Sequence, residues 1–145
     1  EPETRSVSTM YYMTSDGDVT PGVWFGSWKS LSGGGGFYMT AMELARLLAF
    51  FRHTEVLMPK AQRTIMENMR FGFERVDPDR ELHGTYLPKN GSISDGNGRG
   101  VVTELVLFPN GIEVIVLFNS QNMVFAGGET SIRRAIYDAY NKSWQ

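Results

Sequence analysis

The sequence contains no cysteine, which removes disulfides, thiolate metal sites and a cysteine nucleophile together while leaving the redox compartment open. Histidine is nearly as scarce: His53 and His83 are the only two, with no carboxylate or second histidine at ligand spacing. No metal site is expected, and both rings are read as surface or capping groups. No apolar run approaches the ~18 residues of a spanning helix, so no membrane span is expected. A strong excess of positive or negative charge is missing too. Fourteen Lys and Arg face sixteen Asp and Glu, for a net charge of −2. No basic stripe interleaves with aromatics, so nucleic acid is not an expected partner.

What is present fits one folded unit. The chain has 145 residues, 41% hydrophobic and 21% charged, and a domain of that size buries roughly 68–70% of its unfolded surface without staples. It begins Glu1-Pro2-Glu3 without an initiator Met or a signal-like apolar segment, so a processed chain or a piece of a longer protein is expected.

The strongest local signal lies between Gly84 and Asn119. Val101 to Phe108 and Ile112 to Phe118 are rich in Val, Ile, Leu and Phe, and Pro109-Asn110-Gly111 separates them, predicting a β-hairpin. Val101, Leu105 and Leu107 share one face, and Val102, Val106 and Phe108 the other. With both faces apolar, the sheet is expected to be covered on both sides. Glu104 and Glu113 interrupt the pattern and are expected near strand ends.

The rest packs around this hairpin. Residues 1–36 read as an irregular, aromatic-anchored segment with turns at Asp16-Gly17-Asp18 and Pro21-Gly22, ending in Gly33-Gly34-Gly35-Gly36. The acidic triplet lacks calcium-loop spacing and the glycine run lacks a following Gly-Lys-Ser/Thr, so neither is assigned a ligand. Residues 37–76 read as helical. Thr40 and Glu43 form a capping box, Met39 and Leu44 a hydrophobic staple, and Leu44, Leu47, Leu48 and Phe51 one buried face. Pro59 suits the first turn of a second helix built on Ala61, Ile65, Met66 and Met69. Residues 82–119 carry the strands. In the last segment, 129–143, Ile132, Ala135, Ile136, Ala139 and Tyr140 predict an amphipathic helix, leaving Arg133, Arg134, Asp138 and Lys142 toward water. The predicted class is α+β, an antiparallel sheet with helices packed on it.

The polar group most suggestive of chemistry is Lys89-Asn90-Gly91-Ser92, between the extended stretch Gly84 to Pro88 and the glycine-spaced loop Gly96 to Gly100. A lysine at a sheet edge can stabilise a carboxylate or lower a neighbour's pKa, and glycine permits close approach of a ligand to backbone. The same residues also make an ordinary turn.

In order along the chain stand Gly-Gly-Gly-Gly-Phe-Tyr-Met-Thr leading into Ala-Met-Glu-Leu-Ala-Arg-Leu, then Leu57-Met58-Pro59, Lys-Asn-Gly, the hairpin and a closing amphipathic helix. This series resembles the C-terminal portion of the serine β-lactamase and penicillin-binding-protein superfamily, in its class C β-lactamase and esterase-like branch, with Lys-Asn-Gly in place of Lys-Thr-Gly. The resemblance implies the β-lactamase/transpeptidase-like fold and a serine hydrolase acting on a β-lactam, D-Ala peptide or ester. It implies no cofactor, and a secreted or periplasmic location. It further implies that Lys89 supplies positive charge to the substrate carboxylate and the proton network. Asn90 and Gly91 would line the substrate, and the backbone N–H of Ser92 would be half of an oxyanion hole. The chain departs from the family pattern elsewhere. No Ser has Lys three residues on, no Tyr has Asn two residues on, and Ser120-Gln121-Asn122 falls after Lys-Asn-Gly, in the wrong order. The nucleophile is absent, so the expected activity requires an N-terminal portion that supplies it. Two alternatives remain open. One is a non-catalytic module binding peptide or glycan through Lys89 and the aromatics Trp24, Phe25, Trp28 and Tyr86. The other is a structural domain.

Overall fold

In the computed structural model, which describes residues 10–13, 19–22, 39–74, 78–94, 100–120, 124, 128 and 130–143, the hairpin forms where the sequence places it. Strand β4 (Gly100–Leu107) turns into β5 (Glu113–Phe118) through Pro109-Asn110-Gly111. Phe108 N–H donates to the Ile112 carbonyl at 2.9 Å and Gly111 N–H to the Phe108 carbonyl at 3.2 Å. Gly111 alone of the turn takes a positive φ, 86°. This is a three-residue loop in which Pro occupies the second turn position and Gly the left-handed one.

β3 (Leu87–Ser94) pairs antiparallel with β4, with Leu87 opposite Leu107 and Ser94 opposite Gly100, giving the order β3-β4-β5. Lys89-Asn90-Gly91-Ser92 therefore lies within a strand, extending the short stretch expected before it. Segment 1–36, expected to be irregular, contains two paired strands. β1 (Met10–Met13) and β2 (Val19–Gly22) are antiparallel, with Met10 opposite Gly22. Met10-Tyr11-Tyr12-Met13 is thus strand. The Asp16-Gly17-Asp18 turn, the glycine run and Trp24, Phe25 and Trp28 lie outside the described residues.

Among the described residues, three α-helices complete an α+β fold. α1 (Ala41–His53) starts with the capping box: Glu43 N–H donates to the Thr40 hydroxyl at 3.1 Å, and Thr40 N–H to the Glu43 carboxylate at 2.8 Å. It packs against β5. No residue of α1 is buried, and Leu47 of the expected inner stripe is 46% exposed, because α1 leans on one edge of a three-stranded sheet. α2 (Lys60–Asn68) follows with Pro59 at its N-cap. Ile65 and Met69, expected in the core, are exposed. The buried residue is Arg63, which donates to the carbonyls of Phe51 at 3.0 Å and Thr54 at 2.7 Å. It satisfies groups that the end of α1 leaves without helical partners.

α3 (Ile132–Lys142), capped by Ser131, packs on β4. Side chains alternate across a sheet, so the register puts Pro88, Asn90, Glu104, Val106, Val114 and Val116 on the α3 face. Lys89, Gly91, Leu105, Leu107 and Glu113 fall on the other, where Glu113 meets Arg52 and His53 of α1. The two helices thus cover opposite faces, as the doubly apolar hairpin predicts.

The core lies under α3 and is aromatic: Tyr86, Phe108, Tyr137 and Tyr140, with Val106. Phe108 and Tyr140 stack at 3.7 Å, and Tyr86 meets Phe108 and Tyr137 edge-on at 4.8 and 5.1 Å. Each such pair adds about 0.5–1.5 kcal/mol beyond its buried area. The Tyr86 hydroxyl donates to Asn141 Oδ1 at 2.6 Å and accepts the N–H of His83 at 3.2 Å. Its backbone N–H donates to Glu81, whose carboxylate also pairs with Arg70 at 3.0 Å. Tyr86 is thereby fixed immediately before β3. Replacing Tyr86 by Phe leaves the buried Asn141 oxygen without that donor, and the expected loss is about 1–3 kcal/mol. Urea unfolding checks this as a lowered midpoint with an unchanged slope; an unchanged midpoint would show that Asn141 finds another donor.

Candidate functional site

The candidate site is the outer half of β3. An edge strand offers alternate residues' backbone groups to solvent, and the hydrogen bonds show which ones. Pro88 carbonyl accepts the N–H of Glu74 at 2.8 Å, and Asn90 N–H donates to Glu74 Oε1 at 3.1 Å. Positions 88 and 90 point outward, away from β4, and by the same alternation so does the backbone of Ser92. Pro88 sits at an outward position, where proline interrupts no ladder bond.

Lys89, Asn90, Gly91 and Ser92 are all exposed. Lys89 lies opposite Leu105 and Gly91 opposite Thr103, on one face of the sheet; Asn90 lies opposite Glu104 and Ser92 opposite Val102, on the face that carries α3. A Cβ built on Gly91 would meet no atom within 4 Å, so packing within the chain does not require glycine there. The structure brings the four proposed residues onto one exposed edge. It does not bring Tyr86 to them: that side chain is fully buried, so it is unavailable to a ligand at the surface. Among the described residues no cluster of three or more His, Asp or Glu is placed to hold a metal. No described helix is long and apolar enough to cross a membrane.

Behind the edge lies an ionic relay absent from the expectations above. Arg133 of α3 donates through Nε to Glu104 Oε1 and through Nη2 to Glu74 Oε2, both at 2.6 Å. Glu74 in turn accepts the Asn90 amide. Glu104 is not near a strand end but in the middle of β4, with only 4% of its side chain exposed. Arg133 does not face water, because it shares its helical face with Tyr137 and Tyr140, four and seven residues on. Asp138, also expected on the wet side, does have 49% of its side chain exposed, and lies 3.4 Å from Arg80. A carboxylate in the middle of an apolar strand and an arginine on the tyrosine face of the helix are the signals that predict the pair. Nothing local in the sequence marks Glu74.

The electrostatics follow from this geometry. Burial pushes the Glu74 carboxyl up, but the Arg133 bond, the Asn90 amide and the charges of Arg133 and Lys89 outweigh it and hold the group below its ordinary value. Burial pushes Glu104 up, and Arg133 only partly offsets this. Burial pulls Arg133 down, while its two carboxylate partners outweigh burial and raise it.

Comparison with protein families, curated proteins and solved structures returned no match. The chain's own geometry therefore carries the functional argument.

Arg133→Met leaves Glu104 as an uncompensated buried charge, and the expected cost is about 3–5 kcal/mol, or a fall in Tm of roughly 10 °C. Combining it with Glu104→Leu recovers most of the loss, as read by thermal unfolding of single and double variants. The relay also predicts a pH dependence. A carboxyl whose folded pKa lies below its unfolded one contributes stability above the unfolded value and loses it as pH falls through the folded value. An NMR titration of the Asn90 amide should move with a midpoint below the ordinary glutamate range in the unmodified chain. The midpoint should rise in Arg133→Met, and the transition should vanish in Glu74→Gln.

Proposed function

We propose that this chain is the sheet-edge part of a serine hydrolase of the β-lactamase-like class, inactive alone and completed by a segment that supplies a Ser-x-x-Lys nucleophile. The observation that carries this reading is the placement of Lys89-Asn90-Gly91-Ser92 on an exposed edge strand, followed directly by the β4–β5 hairpin and a terminal helix behind the sheet. In that arrangement the Lys89 ammonium faces an incoming carboxylate. Gly91 leaves room for the ligand, and by the resemblance the backbone N–H of Ser92 would be one donor toward a developing oxyanion. Asn90 offers a carboxamide where the family has a hydroxyl, which can still donate to a substrate carboxylate.

A further observation supports a chain that works in contact with more protein. Met42, Leu47, Phe50, Val56, Leu57, Ile65, Met69 and Phe71, all from α1, α2 and the segments beside them, are exposed. Where such side chains adjoin, they would suit contact with a further protein segment. The alternative of a peptide- or glycan-binding module keeps Lys89 but loses Tyr86.

Incubation with a penicillin or a serine-reactive phosphonate should leave the mass of the chain unchanged. An added acyl group from the penicillin, or an added phosphonyl group from the phosphonate, would overturn the proposed inactivity in isolation. Reversible binding of N-acetyl-D-alanyl-D-alanine should shift the amides of residues 89–92, and Lys89→Ala should weaken it about tenfold, the effect expected of one charge-assisted contact near a surface. Equal affinity in the variant would remove Lys89 from the site.

A further inference from the structure

We infer that Glu74 is a specificity-determining residue of this edge: its carboxylate already occupies the Asn90 N–H beside Lys89, so a ligand carboxylate must displace or overcome it. The inference rests on the reading of Lys89–Ser92 as a ligand edge.

Three observations carry it. Glu74 engages the two consecutive outward positions of β3, with its backbone N–H on the Pro88 carbonyl and its side chain on the Asn90 amide. In this way residue 74 does what one residue of a bound extended ligand would do. Its second oxygen is fixed by Arg133 at 2.6 Å, and Arg133 is itself anchored on the buried Glu104. Swinging the carboxylate aside would leave the arginine with one of its two anions. Finally, Glu74 lies within the electrostatic reach of Lys89, so the cation offered to a ligand is already partly balanced from inside the chain.

The consequence is a discrimination by charge. An anionic group arriving at Lys89 meets a fixed carboxylate alongside, whereas a neutral amide or ester meets no such opposition. The edge therefore favours substrates whose reacting end is uncharged, and it takes a terminal carboxylate weakly.

The test compares N-acetyl-D-alanyl-D-alanine with its C-terminal amide by NMR titration of the Gly91 and Ser92 amides. Glu74→Gln keeps an acceptor for Asn90 and removes the charge. The carboxylate should bind about tenfold tighter to this variant, between the limits for a like-charge contact in water and near a protein surface, while the amide should be unaffected. Glu74→Asp keeps the charge on a shorter arm and should show no gain. An equal gain for the two peptides, or a gain in Glu74→Asp matching that in Glu74→Gln, would assign the effect to a loosened edge and overturn the inference. No gain in Glu74→Gln, while Lys89→Ala still weakens binding, brings down the role of Glu74 alone. A Lys89→Ala chain that binds the carboxylate as tightly as the unmodified one brings down the edge reading itself. No shift with either peptide in Glu74→Gln overturns both.

Discussion

The bonds of Arg133 hold together what the backbone keeps apart. One guanidinium reaches the middle of the central strand through Glu104 and the segment after α2 through Glu74, and Glu74 reaches the candidate edge through Asn90. The terminal helix, the central strand and the edge strand thus share one chain of charge-assisted bonds, which are stronger than neutral ones. Two ions buried together are not an efficient source of net stability, since desolvation consumes most of the attraction. Their effect here is geometric, because satisfying the arginine requires α3, β4 and residue 74 to hold one mutual position.

The aromatic cluster and the relay divide the α3 face between them. Tyr137 and Tyr140 press on Phe108, Val106 and Tyr86 toward the hairpin turn, and Arg133, a turn earlier on α3, serves the part of the sheet nearer Asn90. The other face is treated differently. α1 lies over β5, with Arg52 donating to the Phe108 carbonyl at 2.9 Å and standing 3.7 Å from Glu113. Lys89 and Gly91, on the β3 side of that face, remain open. Among the described residues, one well-packed face and one partly uncovered face give the sheet a back and a front.

Elements with a strong local code were legible in the sequence. The hairpin followed from Pro-Asn-Gly between apolar runs, α1 from its capping box, and α3 from its apolar period. Long-range partners were less visible. Glu104 looked like a strand-end residue because its partner lies 29 positions away, and Arg133 looked solvent-facing because an arginine on an amphipathic helix usually is. Arg63 fills the place expected of Ile65, for a reason no periodicity encodes: it caps the carbonyls at the end of another helix. The edge position of Lys89 to Ser92 was suggested by the order of segments. That β3 runs through those residues is settled by pairing with β4, since Lys-Asn-Gly alone has little strand propensity.

Pro88 gives this arrangement a direction. Because proline carries no N–H, the outer edge of β3 at that point can only accept, and a neighbouring backbone must arrive with a donor. Glu74 does so. Sliding the 74 segment two residues back along β3 would set that donor against position 86 and leave position 88 facing a carboxylate it cannot answer. A missing hydrogen thereby acts as a registration mark, fixing which residue of the crossing segment stands beside Lys89.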